Sequence, residues 1–128
     1  MHKRYIRLAS ILMILGIIMG AFGAHFLKPK ISASSLSAFQ TGVFYHIIHA
    51  VAILVLGISS IDLSAHFKRS VTFLLIGIIL FSGSLYLLSL KEFFVNPGLF
   101  KFIGPITPLG GISFIVGWVL LIFALKDR

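Results

Sequence analysis

Tyr45, His46 and His49 stand together in the stretch GVFYHIIHAVAI, residues 42–53, which is otherwise apolar. On a helix these three side chains project within about 100° of one another. Imidazoles so placed could do one of four things. Two of them with His25 could ligate a metal through neutral nitrogens. His25 and His49 could hold a haem from two helices. With Tyr and Ser neighbours they could relay protons or seat a quinone. Or they could donate to carbonyls and hydroxyls of adjacent helices and fix their register, each bond contributing about 0.6–2 kcal/mol. Ser82 and Tyr86 form a second polar pair at i,i+4, with Ser84 between them, and Thr107 adds a hydroxyl further on.

The acids decide among these. Asp62, Glu92 and Asp127 are the only three carboxylates in the chain, and all lie outside the apolar runs or at their ends. No metal site is expected without a carboxylate or thiolate to complete the shell, and the chain has no Cys. A Ser-His-Asp arrangement would lack its orienting acid. The residues therefore favour the fourth option and a protein that is not an enzyme. The rival is a redox or proton-handling module binding haem, quinone or metal through His25 and His49. A small oligomeric transporter or channel is the third reading.

The elements that must position these groups are membrane helices. Hydrophobic residues make up 59% of the 128 and charged ones 11%, against about 25% charged in soluble domains. The mean hydropathy is +1.11. Four stretches are long enough to span a bilayer, near 8–26, 38–58, 71–90 and 108–125. The expected fold is one all-α domain over residues 1–128, an antiparallel four-helix transmembrane bundle. The first span is expected to be retained, not cleaved as a signal peptide. A net charge of +8 does not indicate nucleic acid, because the basic residues are spread over segment ends.

Seven of the basic residues (Lys3, Arg4, Arg7, Lys68, Arg69, Lys126, Arg128) fall on one side and four (Lys28, Lys30, Lys91, Lys101) on the other. The positive-inside rule then puts both termini in the cytoplasm. Counted from the outer ends of those spans at about 1.5 Å per residue, His25, Tyr45, His46, His49, Ser82, Ser84 and Tyr86 all fall in the outer half of the bilayer, His49 being the deepest. A polar pocket opening outward is the expected result. Small residues should make the helix seams: Ala9, Gly16, Gly20 and Gly23 in the first span, and Gly110, Gly111, Ser113 and Gly117 in the fourth. Trp118 should find an acceptor on another helix. Thr107 is expected as N-cap of the fourth helix with Pro108 at its first position. The apolar connector FFVNPGLFKFIGP should lie along the outer membrane surface. A faint echo between LGIIMGAFGAHFLK and IGIILFSGSLYLLSLK would fit a parallel repeat.

Four ordered motifs, GAFGAH (20–25), TGVFYHIIHA (41–50), LFSGSLY (80–86) and TPLGGISFIVGW (107–118), resemble those of the YgdD-like family. These are small bacterial inner-membrane proteins grouped as a domain of unknown function, with a related mitochondrial transmembrane protein in animals. The resemblance spans nearly the whole chain and implies four helices in the inner membrane. It brings no activity, cofactor or partner. It does imply a pattern at His25, Tyr45, His49, Ser82, Ser84, Tyr86, Thr107, Gly110, Gly111 and Trp118, with His46 outside it. The sequence thus predicts a non-enzymatic accessory, assembly or lipid-contacting protein. Its partners would be the lipid bilayer and a homo-oligomer or larger membrane complex.

Overall fold

The computed structural model describes residues 1–61 and 64–126; Asp62 and Asp127 lie outside them. All regular structure among the described residues is helical. The elements are α1 (Lys3–Phe22), α2 (Ala33–Ile58), α3 (Ala65–Gly77), α4 (Gly83–Ser89) and α5 (Ile106–Lys126). A π-helical turn, Gly23–Leu27, extends α1, and another, Ile78–Ser82, joins α3 to α4 in one continuous run. The result is four helical runs long and apolar enough to cross a membrane.

Two helices begin earlier than hydropathy suggests. Ser32 caps α2 by accepting from Ser35 N at 3.3 Å, and Ser64 caps α3 by accepting from Phe67 N at 3.1 Å. Polar first turns do not register in a hydropathy window, but they are helical. The fourth run also begins earlier than its expected N-cap. Thr107 is the second residue of α5 and does not cap it, while Pro108 is the third. A missing N–H costs little there, since the first turn has no intrahelical acceptor.

The runs alternate in direction. α1 packs along α2, α3 packs along α5, and α2 joins the two pairs through α4 and the 78–82 turn. α1 and α5 share no extensive contact, being separated by α2 and the α3–α4 run. The apolar core fills the end that carries the termini, where Tyr5, Leu12, Ile53, Phe67, Val71 and Leu74 are buried together. At the opposite end Leu27 and Phe39 are fully enclosed. The connector 93–102 there exposes Phe93, Phe94, Val95, Leu99 and Phe102, as a segment lying on a membrane surface would.

Glycine sets the closeness of these pairs. A Cβ on Gly16 would come within 2.9 Å of Ile47, one on Gly23 within 2.7 Å of the Phe39 ring, and one on Gly117 within 2.8 Å of Leu74. One on Gly110 would strike the backbone of Phe81, in the π-turn. That turn widens the helix, and Gly110 is where α5 makes room for it. Gly20 and Gly111 depart from expectation. A Cβ at Gly20 would meet Val43 at an ordinary 3.5 Å, and at Gly111 the nearest atom is 3.9 Å away. Neither is a tight seam.

Candidate functional site

The polar side chains do not gather in one pocket. They form separate stitches, each made by a short side chain reaching a neighbouring helix. Cβ atoms tilt toward a helix N-terminus, so residue i+4 shades the carbonyl of residue i. A glycine at i+4 uncovers it. Gly16 uncovers the Leu12 carbonyl, which accepts from His46 Nε2 at 2.8 Å. Gly77 uncovers the Phe73 carbonyl, which accepts from Ser113 Oγ at 2.7 Å. On the same α3–α5 seam Ser70 Oγ donates to the Gly117 carbonyl at 2.7 Å. Between α2 and the π-turn, Ser82 Oγ donates to the Gly42 carbonyl at 2.7 Å. Ser84 and Thr107 share a hydroxyl–hydroxyl bond of 2.6 Å between α4 and α5.

The two buried histidines can be read to the proton. A carbonyl only accepts, so His46 Nε2 carries hydrogen toward Leu12. In the neutral ring its Nδ1 then accepts from the Tyr86 hydroxyl, 3.0 Å away. His49 is the reverse. Trp118 only donates, so His49 Nε2 accepts from the indole N–H at 3.2 Å. Its Nδ1–H donates to the Tyr45 carbonyl at 2.8 Å. The His49 ring also lies flat on Phe114, centroids 3.7 Å apart and planes 13° from parallel. His49 is thus a neutral Nδ1–H imidazole, His46 in its neutral form is the opposite tautomer, and both nitrogens of each ring are engaged.

Depth and company differ from expectation. α2 begins at Ala33, so His46 falls at mid-helix. His49 is sixteen residues past Ala33 and nine before Ile58, nearer the end carrying the termini. The cluster is not confined to the opposite half. His25 is exposed, on the π-turn after α1. Gly16, Gly20 and Gly23 pack level with Ile47, Val43 and Phe39, so His25 lies level with residues near 37. That is roughly 18 Å along the axis from His49 at about 1.5 Å per residue. Two imidazoles so separated cannot share a haem or a metal ion. Among the described residues no three His, Cys, Asp or Glu side chains group as a metal site.

Tyr45 is not enclosed, and its ring faces a lateral cleft of about 400 Å³ between α2 and α5. Phe81, Gly111, Phe114, Ile115 and Trp118 complete its walls, with His49 behind. The ring centroid of Tyr45 lies 4.6 Å from that of Phe81. The open space at Gly111 belongs to this cleft.

Residues 19–111 match the family model described as "Protein of unknown function (DUF423)". The chain belongs to the DUF423 family. It is 40% identical over 126 residues to the UPF0382 membrane protein YwdK of Bacillus subtilis, covering 95% of each chain. It is 38% identical over 122 residues to the UPF0382 membrane protein SAB0533 of Staphylococcus aureus, covering 95% of this chain and 94% of that one. With the UPF0382 inner membrane protein YgdD of Escherichia coli it shares 40% identity over 107 residues, 83% of this chain and 76% of the relative. No solved structure matches. This DUF423 protein is a small integral membrane protein, as its four apolar runs and its relatives' names agree. The expected family resemblance is therefore met.

Two residues stand differently within it. His46, which the resemblance leaves aside, makes two interhelical bonds, while His25, which it includes, is exposed. Sequence reasoning also missed Glu92. Its carboxylate accepts from Ser32 N at 3.0 Å, Ser32 Oγ at 2.6 Å and Ser35 Oγ at 2.7 Å, tying the start of α2 to the exposed turn after α4. Those serine hydrogen bonds hold Glu92 below its usual carboxylate range. The serine cap was visible in the sequence; an acid 60 residues away was not.

Proposed function

We propose that this DUF423 protein is a non-catalytic accessory or assembly component of the bacterial cytoplasmic membrane, with both termini in the cytoplasm. One observation carries the reading: among the described residues no buried side-chain N or O atom lacks a hydrogen-bond partner within the chain. Catalytic groups are themselves hydrogen-bonded at rest, to one another beside an open cleft; here most buried polar side chains bond instead across helix seams. The faces left over are apolar: Ile11, Ile14, Ile17 and Ile18 on α1, and Ile112, Ile115, Val119 and Ile122 on α5, are exposed. Such faces suit acyl chains, a second copy or a partner's transmembrane helix. The seven-to-four distribution of basic residues supports the orientation.

The engaged nitrogens of His49 and its distance from His25 weigh against the haem, quinone or metal reading. The test is an absorbance spectrum and metal analysis of protein extracted in mild detergent. No Soret band, no quinone absorbance and sub-stoichiometric metal are expected; a Soret band or one metal per chain overturns the proposal. Orientation is checked separately. A C-terminal fluorescent-protein fusion should glow and a C-terminal phosphatase fusion should be inactive.

A further inference from the structure

At the end that carries the termini, α1 and α3 run parallel and leave a groove of about 360 Å³ between them. Arg4 and Lys68 stand at its mouth, in the first turns of their helices. Leu8, Val71 and Leu75 line its deeper part. Leu75 is seven residues past Lys68, about 10 Å further into the bilayer. The groove is therefore cationic where headgroups lie and apolar where acyl chains lie.

Arg4 is pre-set in this mouth. Its guanidinium carbon lies 4.4 Å from the Tyr5 ring centroid, and Nη2 donates to the Tyr5 hydroxyl. Tyr5 is itself buried, its ring 5.8 Å from that of Phe67. Both contacts favour this placement of the exposed guanidinium. The Thr72 hydroxyl in the wall is already turned to the Lys68 carbonyl at 2.9 Å, so Arg4 and Lys68 are the groups left to meet an anion. Among the described residues neither is in an ion pair, and Glu92, the one described acid, is bonded to Ser32 and Ser35 at the opposite end.

We propose that this groove binds an anionic phospholipid, with its phosphodiester between Arg4 and Lys68 and one acyl chain along Leu8 and Leu75. Basic pockets between membrane helices recognise anionic headgroups in this way. A free phosphate would satisfy the two cations but would leave the apolar half of the groove unfilled.

The test uses the full chain in mixed micelles with phosphatidylglycerol, phosphatidylcholine or inorganic phosphate. The readouts are lipid adducts in native mass spectrometry and melting temperature. Phosphatidylglycerol should bind in preference and raise the melting temperature; phosphatidylcholine and phosphate should not. Arg4→Gln with Lys68→Gln should weaken phosphatidylglycerol about thirtyfold. Leu75→Trp, which keeps both charges, should also abolish the preference by filling the groove. Lys28→Gln with Lys101→Gln, at the opposite end, should leave it unchanged. The proposal fails if the Arg4/Lys68 variant keeps its preference, if the Lys28/Lys101 variant loses as much, or if phosphate reproduces the lipid's shift. Should the Arg4/Lys68 variant not fold, full retention of phosphatidylglycerol by Leu75→Trp overturns it alone.

Discussion

Replacing His49 by Leu removes two things whose worth can be set from the geometry. The first is the bond from the Trp118 indole, 3.2 Å long and between helices. Such bonds contribute about 0.6–2 kcal/mol in membrane proteins. The second is the flat stack on Phe114 at 3.7 Å, and aromatic pairs add about 0.5–1.5 kcal/mol beyond their area. The bond to the Tyr45 carbonyl adds little, because that oxygen already accepts within α2. The sum is about 1–3.5 kcal/mol. At about 3–5 °C per kcal/mol for a chain of this size, taken from soluble proteins, the melting temperature in detergent should fall by about 3–18 °C. His25→Leu is the reference. His25 is exposed on the π-turn after α1, and its loss should cost under ~2 °C, as exposed substitutions do. A double-mutant cycle sharpens the comparison. Trp118→Phe should destabilise the natural chain but add almost nothing once His49 is Leu. Equal melting temperatures for the His49 and His25 variants, or strict additivity with Trp118→Phe, would refute this account of the histidine.

Gly110→Ala should cost about 2–3 kcal/mol or prevent folding by driving a methyl into the Phe81 backbone, whereas Gly111→Ala should leave melting unchanged. Ser70→Ala with Ser113→Ala should lose about 1–4 kcal/mol by separating α3 from α5, read as faster proteolysis between them. The bonds to Glu92 hold its folded-state affinity for protons below that of the unfolded chain. Their stabilisation is therefore full above the usual carboxylate range and lost as pH falls through the depressed value. The protection of Ser32 N–H against exchange, taken relative to the intrinsic rate at each pH, should fall on acidification, and Glu92→Gln should remove most of that dependence.

Four helical runs and their order were legible because bilayer-length apolar stretches leave few alternatives. Their beginnings were less so. Ser32 and Ser64 start helices whose first turns are polar, and a hydropathy window reads these as connectors. The site was legible in residue type more than in grouping. Trp118 finds its acceptor as expected, and Ser82, Ser84 and Thr107 each reach across a seam. Yet one shared pocket was inferred where there are several separate stitches. The inference took polar residues at similar depth to be neighbours, although depth says nothing of which seam a side chain enters. The Ile78–Ser82 π-turn, which changes the facing of Ser82 and Phe81, has no sequence signal of its own. His25 was misplaced because a histidine near a helix end was treated as a bundle residue. Ser70 was overlooked as a lone serine in an apolar run.

The opposite tautomers of the two buried histidines set their response to acid. A proton added to His46 would sit on Nδ1, and the Tyr86 hydroxyl could rotate to present its oxygen, so that contact survives. A proton added to His49 would sit on Nε2 and point at an indole hydrogen, which has no lone pair to offer. Charging the first ring would reverse one bond; charging the second would set two donors against each other across α2 and α5. The Trp118–His49 bond between α2 and α5 is thus the one a charged imidazole would break, and the His46–Tyr86 bond between α2 and α4 the one it would only reverse.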